Sequence, residues 1–95
     1  MTYLLKYSPF AIQTFKEISA QLNDRWGNKY VAEFKKRTVK VIETIRISPF
    51  LYQSIESNSN VRKGFIHKNC SVFYKVKETK IEILFFWDNR QDPML

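Results

Sequence analysis

The spacing of apolar residues predicts two helices in the first half of the chain. Ser8-Pro9 is a favourable helix start, because the serine hydroxyl can cap a free amide and proline needs no amide partner. Gly27 is predicted to end the first helix, and Asn28 to cap a second that runs from about Lys29 to Ile47, before Pro49. The apolar stripes are Ala11, Phe15, Ile18, Leu22 and Trp26 on the first helix, and Val31, Phe34, Val41, Ile42 and Ile45 on the second. So short a connection predicts an antiparallel α-hairpin.

The second half of the chain changes to the alternating pattern of β-strands. Three runs rich in β-branched and aromatic residues are separated by two-residue turn candidates, which predicts an antiparallel meander. The runs are Val61 to His67, Cys70 to Lys77 and Lys80 to Trp87, with turns at Lys68-Asn69 and Glu78-Thr79. In the middle run Val72, Tyr74 and Val76 fall on one face, and Ser71, Phe73, Lys75 and Lys77 on the other.

These elements predict an α+β fold with the order β-α-α-β-β-β. A short strand within Thr2 to Tyr7 precedes the helices, and an antiparallel sheet is covered on one face by the α-hairpin. Pro49 to Asn60 lacks a regular period and is predicted to be a connecting loop, with Phe50, Leu51 and Ile55 packed beneath it. A length of 95 residues suits one core, so residues 1–95 are expected to form a single domain.

Charge points to an anionic partner. Sixteen Lys and Arg against nine Asp and Glu give a formal net charge of +7, which attracts phosphate backbones or an acidic protein. Cys70 is the only cysteine, so no internal disulfide can form and a reducing, cytoplasmic location is predicted. The N-terminal stretch lacks the pattern of a secretion signal and no run is long and apolar enough for a membrane span, so no membrane association is expected.

Familiar catalytic motifs are missing from the sequence. There is no Gly-rich phosphate loop, no nucleophile elbow and no pair of metal ligands at a typical spacing, so neither a cofactor nor a metal is predicted. His67 has the unperturbed pKa of a general base, and Cys70 can approach it across the predicted turn. A small buried thiol is the simpler interpretation of Cys70.

Basic residues of the meander are the main candidates for function. Arg62, Lys63 and His67 can converge with Arg90, which follows the last strand, to form a phosphate-binding surface. Trp87 is either a stacking platform beside that surface or a core residue. Lys75, Lys77 and Lys80 are explained equally well as charges that protect a sheet edge.

The element order, the basic charge and the ending FFWDNRQDP resemble the RelE/ParE superfamily of toxins from bacterial type II toxin–antitoxin systems. The stretch VRKGFIHKNCSVFYKV together with IEILFFWDNRQDP carries the resemblance, in particular Tyr74 and the Arg90-x-Asp92-Pro93 ending. It implies a growth-inhibiting toxin that a cognate antitoxin neutralises. ParE-like members inhibit DNA gyrase, whereas RelE-like members cleave messenger RNA on the ribosome.

The resemblance assigns residues differently in the two branches. In a RelE-like nuclease, Arg62 and Arg90 match catalytic positions, and His67 or Lys63 would substitute for basic residues that are missing at Gly64 and Ser71. A ParE-like toxin needs none of these, and its target would be bound by Arg90, Trp87, Arg62 and Lys63. We therefore prefer the ParE-like branch. A divergent member that only binds its antitoxin is a third interpretation, and the oligomeric state is left open.

Overall fold

Two helices and five strands make up the structure, a computed structural model that describes residues 2–89 apart from the side chain of Ser59. The elements are β1 (Leu4–Tyr7), α1 (Pro9–Trp26), α2 (Asn28–Ile47), β2 (Ser54–Ile55), β3 (Asn58–His67), β4 (Cys70–Lys77) and β5 (Lys80–Asp88). The predicted α+β class, with an α-hairpin on one face of a sheet, is confirmed. Both two-residue turns of the meander lie where the sequence predicts them.

Helix α1 begins as its sequence predicts. The hydroxyl of Ser8 accepts a hydrogen bond from the backbone N–H of Ala11 at 3.0 Å, and Pro9 occupies the first helical position. Gly27 has a φ of 90°, which an L side chain rarely adopts, and it separates the two helices. Asn28 is the first residue of α2 rather than its cap, because Gly27 takes the cap position without a side-chain hydrogen bond.

The sheet is mixed, with the strand order β1-β5-β4-β3-β2. Strands β3, β4 and β5 form the predicted antiparallel meander, but β1 pairs in parallel with β5, Leu5 lying opposite Ile81. A purely antiparallel sheet was therefore too simple a prediction. The pattern of a four-residue strand indicates that it is a strand but does not indicate its neighbour.

The core lies between the α-hairpin and one face of the sheet. Its fully buried members include Ala11, Phe34 and Ile45 from the helices, and Tyr74 and Ile83 from the strands. Most of the predicted apolar stripes contribute to it, but Trp26, at the end of the α1 stripe, is exposed. Leu22 is the last residue of that stripe that packs against the core.

A β-bulge in β5 fixes the start of α1 to the sheet. Pairing between β4 and β5 shifts between Phe73 and Tyr74, which leaves Leu84 as the extra residue. The backbone N–H of Ser8 donates to the carbonyl of Ile83 at 3.0 Å, and its hydroxyl donates to the carbonyl of Leu84 at 2.6 Å. One turn later Thr14 accepts a hydrogen bond from the N–H of Phe86 at 2.9 Å. The bulge therefore exposes two carbonyls and one N–H of β5, to which residues at the start of α1 form hydrogen bonds.

The segment between α2 and β3 differs from its prediction. It contains the short strand β2, and β3 begins at Asn58, within the Ser/Asn-rich stretch that was predicted to be a turn. Phe50 and Leu51 are exposed rather than packed beneath the loop. The polar contacts that hold this segment are made by side chains of β3 and β4, which its sequence does not reveal.

Candidate functional site

The two faces of the sheet separate the candidate residues. An added Cβ on Gly64 would lie 3.3 Å from Ile45 of α2, so position 64 faces the helices. Side chains alternate along a strand, and Arg62 therefore shares the helix-facing side whereas Lys63 points away from it. We call the side away from the helices the open face. The predicted group of Arg62 and Lys63 is thus divided between opposite sides of β3.

Arg62 is held by the segment that follows α2. Its Nη1 donates a hydrogen bond to the backbone carbonyl of Tyr52 at 2.7 Å, and its guanidinium carbon lies 4.9 Å from the centre of the Phe50 ring. Next to it in the sheet, the hydroxyl of Tyr74 donates to the carbonyl of Pro49 at 2.6 Å. Burial raises the pKa of Tyr74 to about 12, although the charge of Arg62 acts in the opposite direction. Tyr74 therefore stays protonated and keeps its donor hydrogen at neutral pH.

Lys63 belongs to an aromatic row on the open face. Lys63, Phe73 and Phe85 are in register across β3, β4 and β5. The ammonium of Lys63 lies 5.8 Å from the centre of the Phe73 ring, which stacks on Phe85 with centroids 4.7 Å apart. Trp87 continues the row with an edge contact to Phe85 at 6.3 Å. The arrangement places one cation and three aromatic rings in a single row, in which Phe73 is buried and Phe85 and Trp87 are partly buried.

The indole N–H of Trp87 is buried and makes no hydrogen bond with any part of the chain that the structure describes. A buried hydrogen-bond donor without a partner destabilises the folded protein, so such a group often has a binding function that offsets this cost. Trp87 is itself only partly buried, on the open face rather than in the helix-facing core. The role of Trp87 as a stacking platform stays a prediction.

His67 lies away from both Arg62 and the aromatic row. A register shift between Phe65 and His67 interrupts the alternation at the end of β3. The imidazole makes an edge contact with Phe34 of α2, with centroids 5.9 Å apart, and its Nδ1 accepts a hydrogen bond from the backbone N–H of Asn69 at 3.1 Å. His67 therefore packs at the turn end of the meander, beneath the α-hairpin.

The thiol of Cys70 is buried in the core. Burial, followed by the nearby carboxylate of Asp88, raises the pKa of Cys70 to about 12, although the hydrogen bond from the backbone N–H of Trp87 acts against them. The reactive form of cysteine is the thiolate, which is scarce at neutral pH when the pKa is so high. The environment is that of a small buried hydrophobe.

Gly64 and Ser71 occupy the positions where the RelE-like pattern has basic residues. An added Cβ on Gly64 would lie 3.0 Å from Val72 and 3.6 Å from Tyr52, so no longer side chain fits without movement. Ser71 is fully buried, and its hydroxyl donates to the side-chain carbonyl of Asn89 at 3.0 Å. Neither position has a cationic side chain.

Arg90, the residue singled out at the end of the sequence, lies outside the described residues, as do Gln91, Asp92 and Pro93. The described chain reaches Asn89, whose backbone N–H donates to the carbonyl of Asn69 at 2.8 Å. This contact fastens the end of β5 to the β3–β4 turn. The last described residue before Arg90 is thus at the rim of the sheet, next to Trp87 in the same segment.

Two grooves flank the α-hairpin, and sequence reasoning predicted neither of them. The first, of about 620 Å³, lies between the tip of the hairpin and the β3–β4 turn, and its lining includes Trp26, Tyr30, Arg37 and Lys68. The second, of about 570 Å³, lies along the outer side of the hairpin next to β1. Its lining is mainly apolar, with aliphatic residues that include Leu5, Ile12, Val39 and Ile42 and with three aromatic ones, and Lys16, Lys35 and Glu43 are its charged members. Sequence reasoning missed both grooves because it assigned apolar helix residues such as Trp26 to the core, whereas Trp26 is exposed in the structure.

Two classes of site find no support between residues 2 and 89. No group of three His, Cys, Asp or Glu side chains is close enough to hold a metal ion. No helix in that range has the length and hydropathy of a membrane span. The candidate binding surfaces of the described residues are instead the open face, with Lys63 and the aromatic row, and the two surface grooves.

Comparison with known proteins identifies the fold. A chain of the chromosomal ParDE toxin–antitoxin system from P. aeruginosa has a TM-score of 0.77 at 16% identity, over 92% of this chain and 96% of that chain. A chain of the YoeB dimer from Staphylococcus aureus has a TM-score of 0.68 at 15% identity, over 92% of this chain and 97% of that chain. A chain of the archaeal RelE–RelB complex from Pyrococcus horikoshii has a TM-score of 0.66 at 14% identity, over 97% of this chain and 100% of that chain. No protein-family profile and no curated protein matches the sequence.

These structures include a ParDE system as well as a RelE–RelB complex, so the likeness concerns architecture and does not distinguish the ParE-like from the RelE-like branch. It covers almost the whole of each chain, including the α-hairpin and the meander. The resemblance predicted from the element order and from the ending of the sequence is confirmed at this level. The chain has the fold of the RelE/ParE superfamily of toxin–antitoxin toxins.

Proposed function

We propose that this protein is the toxin of a type II toxin–antitoxin system, that a cognate antitoxin neutralises it, and that it inhibits DNA gyrase in the manner of ParE-like toxins. The fold supports the toxin assignment. One observation supports the ParE-like branch: among the described residues, those that a RelE-like nuclease would use do not lie together. Arg62 faces the helices and Lys63 faces the other way.

Phosphodiester cleavage requires charged and proton-transferring groups around one phosphate. A general base must reach the attacking hydroxyl within hydrogen-bonding distance, and a cation must lie beside the developing charge. Here Arg62 binds the carbonyl of Tyr52, and His67 packs on Phe34 at the end of the sheet. Gly64 and Ser71 supply no cation. Inhibition of gyrase by binding needs only a complementary surface, which the open face offers.

The proposed target-binding surface combines the open face with the end of the sequence. Lys63 and Trp87 lie on the open face, and Arg90 follows Trp87 by three positions in the sequence. Arg62 contributes from the other side of β3 by holding the segment around Tyr52. The carbonyl of Gln53 in this segment accepts the backbone N–H of Lys63 at 3.2 Å, so Arg62 supports the strand position of Lys63.

The aliphatic groove beside β1 is the surface we propose for the antitoxin. A groove lined by Leu5, Ile12, Val39 and Ile42 suits the apolar face of an amphipathic segment. Lys16 and Lys35 at its sides, together with the net charge of +7, favour acidic residues beside that face. A short acidic reading frame next to this one in the genome would be the expected source.

A RelE-like ribosome-dependent endonuclease is the second candidate, and the aromatic row of the open face favours it. Lys63 lies in one row with the partly buried rings of Phe85 and Trp87, which combines a cation with rings on which a base can stack. Nuclease activity would then have to use Arg90, with His67 or Lys63 in the remaining roles. A divergent protein that only binds its antitoxin would share the fold and the aliphatic groove.

The order in which cellular processes stop tests the assignment. After induced expression, incorporation of labelled thymidine and of labelled methionine is measured together with the 5′ ends of messenger RNA. A gyrase inhibitor stops DNA synthesis first, induces the DNA-damage response and leaves messages intact. Messages cut on translating ribosomes, with early loss of protein synthesis, would support the nuclease. Normal growth at high expression would leave only the antitoxin-binding interpretation.

A further inference from the structure

The groove at the tip of the α-hairpin, here the tip cleft, has a lining unlike that of any other surface described above. It lies between the last turn of α1, the first turns of α2 and the β3–β4 turn, and has a volume of about 620 Å³. Volumes of this order accommodate small ligands or one or two inserted side groups of a polymer. Of the candidate catalytic and target-binding residues that the structure describes, His67 alone is part of it.

Exposed aromatic rings surround the tip cleft. Trp26 is 57% exposed, Tyr30 is 56% exposed and Phe65 is 56% exposed, and they come from α1, α2 and β3 respectively. The rings of Trp26 and Tyr30 are in contact, with centroids 5.5 Å apart and planes inclined by 42°. Several large aromatics around one concavity form an apolar patch of the kind that marks a binding site.

Cations accompany these rings. Arg37 of α2 and Lys68 of the β3–β4 turn are exposed at the cleft, and the partly buried ring of His67 forms part of its wall. Among the described residues of the lining, Glu33 is the one acidic residue, whereas Arg37 and Lys68 carry positive charges. The amide side chain of Asn69 adds a group that can both donate and accept hydrogen bonds.

We propose that the tip cleft binds single-stranded nucleic acid, with unpaired bases stacked on Trp26, Tyr30 and Phe65 and the backbone phosphates near Arg37 and Lys68. Single strands are typically bound by aromatic platforms next to a positively charged path, because every base has a ring face and every linkage has a charge. A duplex keeps its bases stacked on one another and offers no ring face to the cleft.

The contrast with the aliphatic groove favours nucleic acid over a protein segment. That groove has five aliphatic side chains, among them Leu5, Ile12 and Val39, on which an amphipathic helix can pack, whereas Leu22 is the one aliphatic residue among the described residues that line the tip cleft. The tip cleft has aromatic rings, cations and an amide, a composition suited to flat polar rings and phosphates. The inference goes beyond the proposed function, because binding of gyrase does not require a site for unpaired bases.

The test is binding of labelled oligonucleotides of about eight nucleotides to the full chain, measured by fluorescence anisotropy at two salt concentrations. The same sequence is used as single-stranded RNA, single-stranded DNA and duplex DNA. Wild type should bind the single strands more tightly than the duplex, and the RNA and DNA arms identify which strand the site prefers. Trp26→Ala and Tyr30→Ala should each weaken single-strand binding at least about fivefold, given the contribution of one stacked base.

Matched variants separate this site from general electrostatic attraction. Arg37→Gln should weaken single-strand binding more than Lys36→Gln, which removes the same charge from the adjacent, exposed position of α2 outside the cleft. Thermal unfolding of each variant confirms that it is folded. Equal affinity for duplex and single strands, or equal effects of Arg37→Gln and Lys36→Gln, would overturn the proposal. So would a Trp26→Ala protein that binds oligonucleotides normally but loses its antitoxin or gyrase.

Discussion

The guanidinium of Arg62 and the backbone carbonyl of Tyr52 are joined by a hydrogen bond of 2.7 Å. This contact fixes the segment after α2 to the middle of β3, and the Tyr74 hydroxyl fastens the same segment through the carbonyl of Pro49. A residue that the sequence suggests for phosphate chemistry therefore has a structural partner. Hydrogen bonds from charged donors contribute more to stability than neutral ones, so this pair affects both the fold and the open face.

Replacement of Arg62 tests its structural role. Arg62→Ala removes the hydrogen bond to Tyr52 and the contact with the Phe50 ring, and we expect the free energy of unfolding to fall by about 1.5–3 kcal/mol. Lys63→Ala is the matched control, because Lys63 is exposed on the opposite side of the same strand. Urea denaturation of both variants is the measurement. An Arg62→Ala protein of wild-type stability that no longer arrests growth would instead assign Arg62 to target binding.

Gly64 is predicted to tolerate no side chain. In Gly64→Ala the new Cβ would meet the side chains of Val72 at 3.0 Å and of Ile45 at 3.3 Å, so these side chains must shift by a few tenths of an ångström. Overpacking of this kind costs about 1–3 kcal/mol, which urea denaturation detects. Gly64→Arg, which restores the basic residue of the RelE-like pattern, should be more destabilising still. A stable Gly64→Arg protein would show that the guanidinium can leave the core, contrary to the packing described.

Stability is expected to fall at alkaline pH. The pKa values of Cys70 and Tyr74 are both raised to about 12 in the folded protein, chiefly by burial. Their contribution is fully present below the unfolded pKa values, 9.0 and 10.0, and is lost as the pH rises toward 12. Urea denaturation between about pH 8 and about pH 11 measures this loss. Cys70→Ala should lose less stability than wild type over the same range, and equal losses would argue against a shifted thiol.

Arg90 is predicted to be required for toxicity but not for folding. Arg90 follows Asn89 in the sequence, and Asn89 lies at the rim of the sheet. We propose that Arg90 belongs to the target-binding surface. Arg90→Ala should weaken growth arrest on induced expression while the protein keeps the thermal stability of wild type. Lys77→Ala serves as the control, since it removes an exposed charge from the far end of β4. Growth arrest of undiminished strength in the Arg90→Ala strain would remove Arg90 from the functional surface.

Local signals predicted most of the fold. Ser8-Pro9 and Gly27 fix the ends of α1 because they act through contacts with residues a few positions away. The parallel pairing of β1 with β5 depends on residues more than seventy positions apart, such as Leu5 and Ile81, and no local pattern encodes it. The same applies to the bulge at Leu84, which is explained only by its hydrogen bond with Ser8.

The candidate site was less predictable than the fold. Alternation along β3 is enough to place Arg62 and Lys63 on opposite faces, but not to find the carbonyl of Tyr52 in a segment without a period. Trp26 continues an apolar stripe and was assigned to the core, yet it lies one turn beyond Leu22, the last residue of the stripe in contact with the core. Surface grooves arise from the ends of several elements, which a pattern along one element cannot show.

Supercoiling of relaxed plasmid by purified DNA gyrase from the source organism tests the central claim most directly. Increasing amounts of the purified protein are added, with heat-denatured protein as the control. We predict that supercoiling is inhibited in proportion to the toxin added and is restored when the cognate antitoxin is present. Undisturbed supercoiling at a large molar excess of toxin, together with cleavage of messenger RNA on ribosomes by the same preparation, would contradict the ParE-like assignment.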